Sequence, residues 1–260
     1  MKKINCKQYA NEILNRVRDS HPGKELWIFT MGDDPASQAY MRGKRTDADY
    51  CGVKCEIKRH TSLAALCGEI AYANYDGGVG GIIVQLPLPD GINTDDVVQL
   101  VHSSKDVDGF NPRSPFKPCT PEGVMWLLHR ELGDLSGKTA LVIGKGKLVG
   151  RPLLDMLLAD GVTATMAHSR TRDLDSYLSQ GYDIIVSAVG KPRLVDLKRC
   201  RADIVVDVGI NRDDSGRLCG DCYNFDPDDG STMRVTTVPG GVGLLTRAML
   251  MDHMRGDYDD

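Results

Sequence analysis

Leu141-Val-Ile-Gly-Lys-Gly-Lys-Leu-Val-Gly-Arg-Pro-Leu-Leu154 decides how this chain is read. Leu141, Val142 and Ile143 make a short apolar run with a β-branched core, the pattern of a buried strand. Glycines at 144, 146 and 150 make a turn whose backbone can come close to a ligand. Pro152 suits the first turn of a helix, where its missing N–H leaves no hydrogen bond unmade. Strand, glycine turn and helix start together form an anion cradle, because free N–H groups and the positive end of the helix dipole point the same way. The spacing is G-x-G-x-x-x-G, one residue longer than the dinucleotide fingerprint. The loop alone therefore leaves an ordinary glycine-rich strand–helix connection open.

The residues that follow favour a dinucleotide. Residues 163–168 read as the next strand, ending in His168-Ser-Arg-Thr171. A site for NAD usually places an Asp or Glu about 20 residues past the glycines, to bind the ribose 2′-hydroxyl. Here hydroxyls and the Arg170 guanidinium stand there instead, with Lys145 as a second cation. Such groups suit a 2′-phosphate, which a carboxylate would repel, so NADP is expected, with NAD as the alternative. Asp173 lies close enough to keep that choice open.

The 260 residues suffice for one large domain or two ordinary ones. A net charge of −4 gives no electrostatic reason to expect nucleic acid or an anionic membrane as partner. No apolar run approaches the roughly 18 residues of a membrane span. The start, Met1-Lys-Lys-Ile-Asn-Cys-Lys-Gln8, lacks the apolar core of a secretion signal, so a cytoplasmic protein is expected. Its eight cysteines are scattered, as free thiols would be. Cys219-Gly-Asp-Cys222 has C-x-x-C spacing but no second such pair and no paired histidines, so no metal is expected.

Before the glycine turn the chain alternates. Helical spacing over 7–18 is followed by a strand at 26–31, and Pro35 opens a helix running to about Tyr50. Val53–Lys58, Leu63–Tyr75, Gly80–Gln85 and Thr94–Val101 read as strand, helix, strand and helix. The near-continuous apolar run at 80–85 is what a parallel strand covered on both faces requires. Lys105–Pro118 is irregular and rich in proline, the best candidate for a connection between domains. Thr120-Pro-Glu122 then has the composition of an N-cap and first turn for a helix over 123–132. Later strands at 183–189 and 203–208 end in Gly190-Lys-Pro192 and Gly209-Ile-Asn211. Residues 212–230 read as loop, and a final helix covers 244–254 before an acidic tail. The fold class is α/β with parallel sheets.

Ligands of open α/β sheets bind beyond the carboxyl ends of the strands. In the first half those positions hold Gln85 and, further on, Asp106 and Asp108. Tyr40 and Lys44, four apart on a predicted helix, share one face. Each has a plainer reading: a solvated lysine, a core tyrosine, a glutamine satisfying a loop, aspartates holding a turn.

Taken together, these stretches resemble the methylenetetrahydrofolate dehydrogenase/methenyltetrahydrofolate cyclohydrolase family. The resemblance rests on Gly32-Asp-Asp-Pro-Ala-Ser-Gln-Ala-Tyr-Met-Arg-Gly-Lys44, Gln85-Leu-Pro-Leu-Pro89, Lys105-Asp-Val-Asp-Gly-Phe110 and Pro118-Cys-Thr-Pro-Glu-Gly123. It continues through His168-Ser-Arg-Thr171, Asp207-Val-Gly-Ile-Asn211 and Val238-Pro-Gly-Gly-Val-Gly243, in the family's order. It implies two α/β domains with the active cleft between them: residues 1–118 and 244–260 binding folate, and 119–243 forming a Rossmann half for NADP. It implies that Lys44 is the catalytic lysine with Tyr40 beside it, that Gln85 positions that lysine, and that Asp108 holds the pterin ring. The cofactor would lie on Gly144, Lys145, Gly146, Val149, Gly150, His168, Ser169, Arg170, Gly190 and Ile210, and the 238–243 loop near the folate. A homodimer acting on tetrahydrofolate one-carbon derivatives is implied as well.

The chain departs from the family pattern in places. Its glycine loop has Lys145 for the usual arginine and Gly146 for the usual serine, which weakens bidentate phosphate recognition. Two prolines usual around the 238–243 loop are replaced by Thr237 and Leu244, and the stretch after Asn111 is shortened. The bifunctional enzyme is the leading reading. A monofunctional dehydrogenase, using NAD or NADP, and a non-catalytic dinucleotide- or folate-binding module are the alternatives.

Overall fold

The computed structural model describes residues 1–20 and 23–255. In chain order the elements are β1 (Lys2–Lys3), α1 (Cys6–Ser20), β2 (Glu25–Met31), α2 (Pro35–Cys51), β3 (Cys55–His60), α3 (Leu63–Tyr75), β4 (Val79–Val84), α4 (Thr94–Val98) and α5 (Cys119–Leu132). They continue as β5 (Thr139–Ile143), α6 (Gly150–Ala159), β6 (Thr163–Ala167), α7 (Leu174–Ser179), β7 (Tyr182–Ser187), β8 (Val195–Asp196) and β9 (Ala202–Asp207). Four two-residue strands follow, β10 (Asn211–Arg212), β11 (Leu218–Cys219), β12 (Cys222–Tyr223) and β13 (Arg234–Val235), and then α8 (Val242–His253). The chain divides into two compact α/β units.

One unit holds Asn11–Cys119 and the chain from Arg247 on. Its sheet has the order β3-β2-β4, with β2 parallel to both neighbours. Leu26–Thr30 are all buried, as a central strand covered on both faces must be. Phe29, Leu66, Ile70, Ile82 and Val97 fill one core beneath α3 and α4. The start of α2 is fixed locally: an Asp34 carboxylate oxygen accepts the Ser37 N–H at 2.7 Å, and Pro35 opens the first turn.

The irregular stretch 105–118 is more than a connector. Asp106, Val107, Asp108 and Asn111 are buried, and Asp106 bridges to Ile82 beside β4. Its three prolines preclude regular pairing, so side chains satisfy the backbone instead. Asn111 donates through Nδ2 to the Val101 carbonyl at 2.9 Å, and Ser114 Oγ donates to that of Asp106.

The other unit holds Met1–Ala10 and Thr120–Thr246. Its six-stranded sheet runs β1-β13-β9-β7-β5-β6, parallel throughout. The chain leaves β5 for β6 on one side, then crosses back to place β7 on the other. The switch point between β5 and β7, where such sheets bind ligands, thus falls at the glycine turn. Leu141, Ile143, Ile185, Val205 and Val235 make its core.

Three expectations need correction. The first residues, assigned to the N-terminal half, instead add β1 to the edge of this second sheet beside β13. Helix α5 begins at Cys119, so Thr120 lies inside the first turn and is not its N-cap; its hydroxyl faces that of Thr246 at 3.1 Å. The 212–230 segment carries β10, β11 and β12, too short for sequence periodicity to reveal. The acidic tail beyond residue 255 lies outside the described residues. No helix among the described residues is long and apolar enough to cross a membrane.

Replacing Asp34 by Ala removes the cap of the helix that carries Tyr40 and Lys44. We expect a loss of about 1 kcal/mol in unfolding free energy, measured by urea denaturation. An unchanged midpoint would show that Pro35 alone fixes the helix start.

Candidate active site

In the unit built on β2, α2 carries Tyr40 and Lys44 on one face, and the Lys44 ammonium stands 5.2 Å from the Tyr40 ring centroid. Lys44 is 3% exposed, so its charge has lost most of its water. The carboxylate that answers it is Asp108, with Nζ 3.8 Å from Oδ2. That distance makes an ion pair without a direct hydrogen bond, leaving the ammonium protons free to engage another group.

Asp106 and Asp108 divide the work of their motif. An Asp106 oxygen accepts the Asn111 N–H at 2.6 Å, so this carboxylate closes the turn. Asp108 faces Lys44. Between Asp108 and the following segment, Gly109 has φ +72°, and a Cβ there would lie 2.4 Å from the Lys117 carbonyl oxygen, so no other residue fits. The loop is tied from α8 as well. His253 Nδ1 lies 2.7 Å from the Val107 carbonyl oxygen, and its ring stacks on Phe116 at 4.6 Å between centroids. The Cys119 thiol donates to the same carbonyl at 3.2 Å.

Gln85 directly follows β4 and is 8% exposed. Its Nε2 donates to the Leu86 carbonyl at 2.8 Å, while its buried Oε1 has no hydrogen-bond partner. An unsatisfied buried acceptor costs free energy unless a donor arrives, which is how a binding site differs from a packed core.

In the other unit, a cavity of about 440 Å³ opens at the switch point. It is lined by Gly144, Lys145 and Gly146 of the glycine turn, by Ala188, Val189 and Lys191 after β7, and by His168, Ser169 and Thr171 after β6. Helix α6 starts just past the glycine turn, and no side chain caps its first amides at Val149. Arg151 N–H donates instead to the Gly146 carbonyl at 3.0 Å and Pro152 has no N–H, so Lys145 and Lys191 in the cavity lining are what suit a phosphate-bearing ligand. At Gly146 a Cβ would meet nothing within 4 Å, so what is missing there is the serine hydroxyl, not room for it.

Of the residues that line the cavity at the β6 end, His168, Ser169 and Thr171, none is acidic. His168 N–H donates to Thr171 Oγ1 at 2.9 Å, and Arg170 N–H to His168 Nδ1 at 3.1 Å, holding a tight turn. Asp173, the residue that left NAD open, is spent on α7: it is the N-cap and accepts the Ser176 N–H at 3.2 Å.

The catalytic-domain model of the tetrahydrofolate dehydrogenase/cyclohydrolase family matches residues 3–108, and that family's NAD(P)-binding-domain model matches residues 118–258. The chain belongs to this family. It is 42% identical over 242 residues to the bifunctional protein FolD of Campylobacter jejuni strain RM1221, covering 88% of this chain and 85% of that protein. Among solved structures, the bifunctional FolD methylenetetrahydrofolate dehydrogenase/cyclohydrolase from Campylobacter jejuni superposes with a TM-score of 0.89 at 37% identity, over 98% of this chain and 97% of that one. The Trypanosoma brucei methylenetetrahydrofolate dehydrogenase-cyclohydrolase, complexed with NADP and an inhibitor, also gives 0.89, at 29% identity over 97% and 95% of the two chains.

Not every residue expected at the family's cofactor site lines the cavity. Gly144, Lys145, Gly146, His168 and Ser169 do; Val149, Gly150, Arg170, Gly190 and Ile210 do not. Gly150 is buried, and a Cβ there would sit 1.8 Å from the Gly144 carbonyl oxygen, so only glycine lets α6 pack this closely on the turn. Ile210 is 57% exposed, and Arg170 is exposed beside the turn. The sequence reading passed over Val189, Lys191, Cys119 and His253. Val189 and Lys191 stand at the carboxyl end of β7, a position the switch-point rule could have flagged. No local pattern pointed to Cys119 or His253, because their partner lies at the end of another segment.

The division between the two aspartates can be tested through pH. Burial pushes the Asp106 carboxyl up to about 6, the nearby Asp108 charge adding to the rise while the Asn111 amide opposes it. The folded state therefore keeps that proton to higher pH than the unfolded chain, whose value is near 3.9. The contribution of Asp106 favours folding most below about pH 4 and declines as pH rises to about 6. Asp106→Asn should remove this slope, so unfolding free energy of the unaltered protein should fall relative to the variant across that window. Parallel pH profiles would contradict the assignment.

Proposed function

We propose that this protein oxidises 5,10-methylenetetrahydrofolate to 5,10-methenyltetrahydrofolate with NADP and then hydrolyses the product to 10-formyltetrahydrofolate, two consecutive steps of one-carbon metabolism. The observation that carries the reading is the buried Lys44–Asp108 pair beside Tyr40, in a chain both of whose halves match the bifunctional family.

Hydride transfer demands geometry above all: the folate methylene carbon and the acceptor ring must be held in register. Bound NADP supplies the nicotinamide carbon that accepts the hydride. The protein's part is to hold the partners. The turn at 144–146, with Lys145 and Lys191 beside it, takes the pyrophosphate, and Ser169, Arg170 and Thr171 take the 2′-phosphate end. Asp108 accepts hydrogen bonds from the pterin N–H groups.

The second step moves protons. Water adds through its oxygen to the electron-poor methenyl carbon, and the C–N bond to the ring nitrogen then breaks to leave the formyl group. The Lys44 ammonium gives a proton to the departing ring nitrogen, the amine so formed takes one proton from the added water, and the second proton of that water leaves to solvent as the formyl C=O forms. Asp108 keeps the resulting ammonium paired in its buried position. The open Oε1 of Gln85 offers Lys44 an acceptor that fixes its direction. Tyr40 supplies a ring face against the ammonium. A homodimer in the cytoplasm, with no nucleic-acid or membrane partner, completes the proposal.

Lys44→Met should reduce methenyl hydrolysis at least about a hundredfold while measurable NADP-dependent oxidation remains. Equal loss of both activities, in a variant that still folds, would refute a proton-transfer role for Lys44. Arg170→Ala should lower the preference for NADP over NAD by about tenfold, the scale of a charge-assisted phosphate contact. Steady-state kinetics with each cofactor measures it, and an unchanged ratio would remove Arg170 from the 2′-phosphate site.

A further inference from the structure

The Cys219-Gly-Asp-Cys222 motif has C-x-x-C spacing, yet its thiols are free and no group of three or more metal-ligating side chains exists among the described residues. Its third residue is the informative one. Asp221 is fully buried, and its carboxylate gathers donors from two separate segments, 187–191 and Asn211. Oδ2 accepts the Ser187 hydroxyl at 2.8 Å, the Val189 N–H at 2.9 Å and the Gly190 N–H at 3.3 Å. Oδ1 accepts the Lys191 N–H at 2.8 Å and the Asn211 Nδ2 at 3.0 Å.

Three successive amides aimed at one anion form a nest, the arrangement that elsewhere binds phosphate. Here the protein fills the nest with its own carboxylate. Two glycines make this possible. A Cβ on Gly209 would lie 2.0 Å from Asp221 Oδ1, and one on Gly220 would lie 1.9 Å from Asp207 Oδ2. Asp207 in turn accepts the Asp221 N–H at 3.0 Å and the Cys222 N–H at 2.9 Å, locking the motif to the end of β9.

The segment so held, Val189–Lys191, supplies two residues to the lining of the dinucleotide cavity beside the glycine turn, and Asp221 itself is not among the lining residues. We propose that Asp221 is a positioning residue for the cofactor: it fixes the 189–191 wall and occupies the second anion nest, so that the ligand's phosphates go to the turn before α6. The inference rests on the dinucleotide reading of that cavity.

Asp221→Asn keeps the size of the side chain but turns an N–H₂ toward donors, and should raise both the KM and the directly titrated Kd for NADP by about tenfold. Methenyl hydrolysis, assayed without dinucleotide, should keep its kcat, which general loosening of the fold would not spare. Ser187→Ala removes one of the five donors and should shift NADP binding in the same direction by about threefold; it decides the matter if Asp221→Asn fails to fold. Unchanged NADP affinity in a folded variant, or parallel loss of hydrolysis and cofactor binding, would overturn the proposal. Titration with reduced NADP by fluorescence reads the effect without turnover. A protein that binds NADP but turns over no folate would therefore sink the functional reading and leave this one standing.

Discussion

A lysine ammonium taken out of water needs a carboxylate beside it, and in this protein that requirement links α2 to the loop after α4. Lys44 is almost wholly buried, and Asp108 answers it from 3.8 Å. Removing two charges from water costs several kcal/mol, and their attraction repays it only when neighbouring groups hold the geometry. The neighbours do so. Asp34 fixes where α2 begins, Asp106 closes the turn that presents Asp108, and His253 and Cys119 grip the Val107 carbonyl one residue before it. The pair stops short of a direct hydrogen bond, which leaves the lysine protons available for chemistry.

The dinucleotide unit handles charge in the opposite sense. Its problem is to attract an anion at one place and not at another. Lys145 and Lys191 place positive charge at the cavity. The nest at 189–191 offers amide donors, and Asp221 occupies it. Asp173, which could have repelled a 2′-phosphate, is engaged in capping α7. One class of interaction, carboxylate with backbone amide, thus settles both where an anion is welcome and where it is excluded.

Much of this was legible because it is local. The strand–glycine–helix grammar around Gly144 marks the switch point, and the four-residue spacing of Tyr40 and Lys44 places both on one helical face. The parallel sheets follow from apolar runs alternating with helical periods. What escaped is long-range or very short. Asp106 and Asp108 look alike in sequence, and only the fold turns one toward Asn111 and the other toward Lys44. The first strand has two residues, too few to show a period, so its place on the second sheet was missed. Gly150 belongs to the nucleotide fingerprint, yet here it serves packing, and Ile210 follows a motif glycine but is exposed away from the cavity lining. The Asp221 contacts reach across about thirty positions to Val189 and Gly190, beyond any local pattern.

The central claim is that one chain performs an oxidation and the hydrolysis of its product. It is tested most directly by giving the purified protein methylenetetrahydrofolate and NADP and following reduced-cofactor and methenyl absorbance together. Reduced NADP should accumulate while methenyltetrahydrofolate stays low and the 10-formyl product appears. Methenyltetrahydrofolate rising in step with reduced cofactor would contradict the account, because the buried lysine would then have no hydrolytic role.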